Sequence, residues 1–387
     1  LDEVVIVGYG SVRKSDLTGS VSTVKAEELV KSGTVSLDQA LAGRASGVVV
    51  TSNSGQLGSG ASIKIRAVSS LNGSEPLYVI DGVPMDNTSA GGIGEADLES
   101  SAISPLSMIN PSDIESVEIL KDASSTAIYG SRGANGVVLV TTKTGKVGKG
   151  VVTVDQEFGV TEITRFIDVL SANDFVILDE EAYRNDGNLI PRNESRLDSA
   201  RAGNLQNNDW QRTIIRLGKT SSTSVNFSGG NEDVRYLVST NYLDAEGIVD
   251  QTDYQRISTR VNLTGNLSEK LKIRTGINYS YVTSNQRAIN AGTNSIRGAS
   301  NAISRALRSN PTTGLLADDE DEGIELYTPQ TALSANTYTN LLTQFVGSLS
   351  AEYNFTDALS FKTDFSFQNR NTAQRYYQLN ILPRNIA

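Results

Sequence analysis

The chain has 387 residues, with 34 Lys and Arg against 44 Asp and Glu, a net charge of −10, and neither Cys nor His. That composition removes disulfides, Cys/His metal centres, cysteine nucleophiles and histidine-based triads. An acidic chain with no basic, aromatic-interleaved stretch is also a poor match for nucleic acid. No run approaches the ~18–20 apolar residues of a membrane-spanning helix. A membrane β-barrel stays open, because alternating strands are hidden from average hydropathy. Starting at Leu1 with no signal-peptide pattern, the chain reads as a processed or trimmed product.

In chain order, Asp2-Glu3 precede Val4-Val5-Ile6-Val7, a short β-prone stretch behind two acids. Such a segment can add to a sheet edge through main-chain hydrogen bonds, or serve as an ordinary first strand. Ser36-Leu37-Asp38-Gln39 predicts a capped helix start. Strands are expected at Gly47–Thr51, Ala61–Val68, Leu77–Val83, Ser116–Leu120 and Gly136–Thr142, with a second helix start at Pro111–Glu115. Short helices and strands alternating over about 140 residues suggest one small α+β domain. Lys143–Gly150 reads as a flexible cationic linker.

Beyond it the pattern changes to long period-2 alternation. Leu271, Ile273, Ile277, Tyr279 and Tyr281 oppose Lys272, Arg274, Asn278 and Ser280; Leu359, Phe361, Phe365 and Phe367 oppose Ser360, Lys362, Asp364 and Ser366. Strands are expected at about 151–163, 212–229, 234–246, 253–267, 270–284, 343–355 and 358–371. Their connections alternate short and long. Gly230–Asp233, Ser268-Glu269 and Thr356-Asp357 are tight, whereas Thr164–Gln211, Gly247–Thr252 and Asn285–Leu342 are longer and polar. Transmembrane barrels keep that parity, and a β-sandwich has no reason to. Tyr242, Tyr254, Tyr281 and Phe345 stand near segment ends, where interfacial aromatics belong. Seven strands do not close a barrel, so the expectation is the N-terminal portion of a longer polypeptide.

Specific blocks then carry a resemblance. Ser36-Leu37-Asp38-Gln39-Ala40-Leu41-Ala42-Gly43-Arg44, Pro76-Leu77-Tyr78-Val79-Ile80-Asp81-Gly82-Val83-Pro84 and Ile114–Val137, with its Tyr129-Gly130-Ser131-Arg132-Gly133-Ala134-Asn135-Gly136, follow in order. With Asp2–Gly10 they cover most of residues 1–145 and resemble the plug domain of the SusC/RagA family of TonB-dependent transporters. The resemblance implies an α+β plug domain followed by antiparallel transmembrane β-barrel strands, part of a 22-stranded barrel. The divisions are then a TonB-box segment at 1–10, a plug at 11–148 and barrel strands with extracellular loops at 149–387. It implies residence in the outer membrane of a Bacteroidota-type Gram-negative bacterium, among outer-membrane lipid, and import of a bulky oligosaccharide or peptide. The implied partners are TonB, which would grip Asp2, Glu3, Val4, Val5, Ile6 and Val7, a SusD-like lipoprotein lid, and the remainder of the barrel. A dimer of such pairs is a further arrangement the resemblance allows. Two departures stand out: the β-sandwich extension many members carry before the plug, and most of the barrel, are missing. The alternatives are a TonB-dependent receptor for a metal chelate or cobalamin, and a secreted adhesive β-protein.

Arg66, Asp81, Asp122 and Arg132 are candidate ionic contacts between plug and barrel, set against solvated pairs of little net value. Asp318, Asp319 and Asp321 lie in an acidic run that could draw a hard cation, although the EF-hand spacing is absent and a solvated charge run is the better reading. Gly130-x-x-Gly133-x-x-Gly136 and Gly91-Gly92-x-Gly94 lack the spacing of a phosphate loop. Trp210 and Tyr183 read as loop packing rather than sugar platforms. No cofactor and no catalytic constellation is expected, and the chain reads as a transporter rather than an enzyme.

Overall fold

The computed structural model of the chain describes residues 4–7, 10–13, 21–30, 36–52, 57–58, 60–65, 75–85, 105–188, 190, 193–285, 302–312, 328–330, 333, 336–356 and 358–378. It opens with an antiparallel hairpin of β1 (Val4–Val7) and β2 (Gly10–Arg13), Val5 facing Val12. The small domain follows: β3 (Val21–Lys25), α1 (Ala26–Val30), α2 (Leu37–Ala40), β4 (Val48–Ser52), β5 (Ala61–Ile65), β6 (Leu77–Ile80), β7 (Val83–Pro84), β8 (Ile114–Leu120), α3 (Ala123–Thr126) and β9 (Val137–Thr142). Strands β3, β8, β9, β6 and β7 form one mixed sheet in that order, with β6 parallel to β9, and β4 pairs with β5 alone.

The alternation of β5 works as its pattern demands. Ala61, Ile63 and Ile65 are buried while Ser62 and Lys64 are half-exposed. Leu37, Leu41, Ile63, Tyr78, Leu106, Ile114, Ile119 and Val138 meet in the core. Each such side chain stabilises the fold by roughly 1.5–3 kcal/mol. Two local expectations fail here. Helix α2 is a single turn whose Ser36 side chain makes no capping bond. The buried Asp38 carboxylate instead accepts from the Ala61 amide at 2.7 Å, tying the turn to β5. Pro111 begins no α-helix: Pro111–Asp113 is one 3₁₀ turn capped by Asn110, and strand β8 starts at once. Val117, Glu118, Ile119 and Leu120 are all buried, so a central strand removes more surface from water than a one-sided helix would.

The second region runs β10 (Gly148–Thr161), α4 (Ala172–Asn185), α5 (Glu194–Arg201), α6 (Trp210–Ile214), β11 (Gly218–Gly230), β12 (Val234–Glu246), β13 (Asp253–Asn266), β14 (Leu271–Asn285), α7 (Ala302–Arg308), β15 (Asn336–Thr356) and β16 (Leu359–Gln378). The seven strands pair antiparallel in sequence order. Helices α4 to α7 all lie in the long connections, at one end of the sheet. The stretch from residue 212, expected as strand, is the helix α6. Asp209 caps it, and Trp210, 3 % exposed, packs with Ile214, Val249, Ala306 and Leu333 in a small core of the long connections. Strand β15 starts at Asn336 rather than 343, and β16 runs on to Gln378 rather than 371.

The linker is not free. Lys143 donates its amide to Asp113 at 2.8 Å, and a Cβ on Gly145 would stand 2.4 Å from the Tyr236 backbone oxygen, so only glycine fits. Gly130 and Gly136 have positive φ and serve turns, whereas Gly91–Gly94 lie outside the described residues.

The sheet has two unlike faces. Val154, Phe227, Val238, Leu263, Ile277, Leu349 and Phe365 are exposed on one. The opposite face carries Ser224, Ser239, Asn241, Arg256, Arg260, Ser280 and Gln344, all buried. Tyr242, Tyr281 and Phe345 sit on the apolar face, but Tyr254 does not. Its partners across the ladders are Ala245 and Ser284, so its parity turns it to the polar face, where it is fully buried. A mainly apolar face turned outward is what hydrocarbon requires. In phospholipid vesicles, Leu349→Arg should destabilise the folded protein by about 2–4 kcal/mol, while Ser366→Arg on the other face should cost under about 1 kcal/mol. Urea unfolding of both checks this, and equal losses would remove the assignment of faces.

Candidate functional site

The polar face of the sheet is where the small domain sits, and one corner of the contact is built on Asp81. This residue follows β6 in the left-handed region, φ 49°, with Gly82 next at φ 84°. Asp tolerates that conformation better than most residues. Asp81 Oδ1 accepts the Thr142 amide at 2.9 Å, and Oδ2 accepts the Thr142 hydroxyl at 2.7 Å and Arg260 Nη1 at 2.8 Å. Arg260 comes from β13 and its side chain is 5 % exposed, against 30 % for Asp81. Asn262, one step along the same face, donates to the Lys143 carbonyl at 2.8 Å. The end of β9 and the turn after β6 are thus fixed to one strand of the wall.

A second contact uses backbone. Pro105–Met108 is a 3₁₀ turn whose carbonyl end points at the sheet. Arg256 Nη1 donates to the Ser107 and Ile109 carbonyls, Tyr254 Oη to Ser107 at 3.3 Å, and Ser280 Oγ to Met108 at 2.9 Å. Asn110 then donates to Ser224 at 3.2 Å, and Asp113 accepts from Ser239 at 2.6 Å. A cation at the carbonyl end of a helical turn is electrostatically favoured. Between these bonds lies an apolar patch: Met108 packs with Leu243, Tyr254, Val282 and Leu342, with Leu57 at its rim. The interface therefore combines polar contacts with a dry apolar patch.

Among the residues singled out in the sequence, Asp81 is in contact with the wall. Arg132 donates to the Met85 carbonyl at 3.2 Å, inside the small domain. The Asp122 carbonyl accepts from Ser125 and Thr126, also within it. Arg66, Asp2, Glu3, Asp318, Asp319 and Asp321 lie outside the described residues. Among the described residues no group of three carboxylates is gathered for a metal. Sequence reasoning missed Tyr254, Arg256, Arg260, Ser280 and the carbonyls of Ser107–Ile109. A signal existed for the apolar patch. Tyr242-Leu243, Tyr281-Val282 and Leu341-Leu342 each break the alternation, and Leu243, Val282 and Leu342 flank Arg256 in one row across the ladders.

Asp81→Asn keeps the shape of the corner but leaves the Arg260 guanidinium without its counter-charge. With the pair partly open to water, local opening should become easier by about 2 kcal/mol. Amide exchange at Thr142 should then rise roughly thirty-fold. Unchanged exchange would show that the ion pair contributes nothing to the seat.

Residues 13–137 match the family TonB-dependent Receptor Plug Domain. The chain is 35 % identical to TonB-dependent receptor P3 of Formosa agariphila over 386 residues, 96 % of this chain and 34 % of that protein. It is 37 % identical to TonB-dependent receptor SusC of Bacteroides thetaiotaomicron over 324 residues, 83 % of this chain and 29 % of that one. The chain thus spans about a third of the length of the relatives it matches. A solved structure of the RagAB peptide importer in its open-open state has the same fold, with a TM-score of 0.76 at 22 % identity over 96 % of this chain and 42 % of that one. A plug domain seated on the polar face of an antiparallel sheet, together with identity along nearly the whole chain, shows that this protein belongs to the SusC/RagA-type TonB-dependent receptors.

Proposed function

We propose that this chain supplies the plug and opening strands of an active importer in the outer membrane of a Bacteroidota-type bacterium. The cargo is a bulky nutrient, an oligosaccharide or a peptide. A SusD-like surface lipoprotein captures it at the long-connection end, and TonB drives its passage. The observation that carries this reading is the seat of the plug: a folded domain held on the polar face by the Asp81–Arg260 pair and by the carbonyls of Ser107–Ile109. Bonds of that kind are strong enough to close a pore at rest, and water can replace them when the plug is pulled.

The grip for such a pull is β1. Among the described residues it pairs with β2 alone, which leaves its other edge available to a third strand. Asp2 and Glu3 stand immediately ahead of it. Main-chain bonding along Val4–Val7 would let TonB hold the chain end without a deep pocket.

In the full-length transporter, deleting Asp2–Val7 should abolish energised uptake while leaving its amount in the outer membrane unchanged. Ile6→Pro, which removes one ladder donor, should lower uptake by about tenfold. Unimpaired uptake in both variants would refute the role of this segment. Purification from mild detergent separates the two kinds of receptor: a nutrient importer of this kind brings a lipoprotein with it, and a receptor for a metal chelate or cobalamin does not.

A further inference from the structure

The wall beneath the plug is more basic than the chain that builds it. Along β11 to β14 the side chains alternate strictly, and the ladders fix which of them share the plug's face. On that face stand Arg235, Arg256, Arg260, Lys272 and Arg274, and no Asp or Glu. The carboxylates of these strands, Asp244, Glu246 and Asp253, point the other way, at the end of the long connections. In a protein of net charge −10, five cations without a carboxylate on four adjacent strands is a marked segregation. The flanking strands add Asp155 and Glu157 on β10, Glu352 on β15, 3.6 Å from Arg274 with both side chains partly exposed, and the Lys362–Asp364 pair on β16. The cations descend the wall from the long-loop end to the short-turn end. Arg256, Arg260 and Arg274 lie about 14 Å apart along the strands, and Lys272 about 7 Å further.

The seated plug shows what these groups bind. Arg260 holds the Asp81 carboxylate at 2.8 Å and the Thr142 hydroxyl at 3.0 Å. Arg256 is 2 % exposed and satisfied by plug carbonyls and the Asn241 amide oxygen; its Nε has no partner. Arg260 Nε is likewise buried and without one. Once the plug withdraws, both guanidinia lose these ligands and face the lumen, in line with Arg235, Lys272 and Arg274. The surrounding wall is hydroxyl and amide: Ser258, Asn262, Asn278, Ser280 and Gln344.

We infer that this strip of wall is a transit track for an acidic oligosaccharide, one bearing carboxylate or sulfate groups among free hydroxyls. A carboxylate with a neighbouring hydroxyl is the pattern Arg260 already grips, and Ser, Asn and Gln side chains suit the remaining hydroxyls. Rings and rows of Arg and Lys select anions in pores, and charge changes in a barrel lumen tune selectivity. The plug then acts as an occupant that mimics the cargo, and arriving anions compete for the same guanidinia. The inference rests on the import reading above and narrows its cargo to one class.

The test uses the full-length transporter in energised cells, fed a mixed digest of pectin, starch and casein. The periplasmic contents are then read by mass spectrometry. Acidic oligosaccharides should be enriched over neutral ones. The triple variant Arg235→Gln, Lys272→Gln, Arg274→Gln, whose residues do not hold the plug, should lower the acidic-to-neutral ratio about tenfold. The pair Arg235→Lys with Arg274→Lys should keep the ratio. Import of only neutral chains or only peptides, or an unchanged ratio in the triple variant, overturns this proposal and leaves the importer standing. Import of nothing in the wild type, with the protein present in the outer membrane, overturns both.

Discussion

A guanidinium sealed from water must find oxygen, and Arg256 finds it in the backbone of another domain. Its nitrogens reach the Ser107 and Ile109 carbonyls and the Asn241 side chain, not a carboxylate. Burying a charge without such ligands would cost several kcal/mol. The wall can therefore keep Arg256 sealed from water only while the plug presents a 3₁₀ turn with its carbonyl end in register. The core of the plug, in which Leu106 and Ile109 are buried, fixes that turn. Seat and fold are thus coupled: loosening the core around Leu106 would strand the charge, and removing the charge would take a donor from the Ser107 and Ile109 carbonyls.

Two solvents act on the same strands. The outer face of β11 to β16 answers to hydrocarbon and is mainly apolar, with Asp244, Glu246 and Asp253 sharing its parity only at the long-connection end. The inner face answers to the plug, so its character varies by row. It is polar where Asn110 and Asp113 meet Ser224 and Ser239, and apolar where Met108 is enclosed. A strand of this kind is decoded row by row across the ladder rather than residue by residue along the chain.

That explains which parts could be read in advance. The strands, the short and long connections and the outward aromatics followed from period-2 alternation alone. The plug blocks followed from local sequence, Asp81 among them, because Asp-Gly after a buried strand announces a turn. Arg256 and Arg260 did not stand out, since an arginine on a polar face looks the same whether it meets water or a carbonyl. The start of β11 was misplaced for a related reason. Residues from 212 onward were counted into the strand, but the Asp209 cap and the packing of Ile214 against Trp210 in the loop core make Trp210–Ile214 a helical turn. Tyr254 was assigned to the membrane boundary from its position near a strand end, and only its cross-strand partners reveal that it faces inward.

The connection between β9 and β10 is short and taut. Five residues, Lys143 to Val147, join the last strand of the plug to the first strand of the wall, and Gly145 lies against the Tyr236 backbone with no room for a side chain. A stopper moored so closely at its trailing end has no slack with which to drop out whole. In the import reading proposed above, a passage would come from the plug swinging or unravelling from its leading end while the mooring holds, and the same anchor would guide its return.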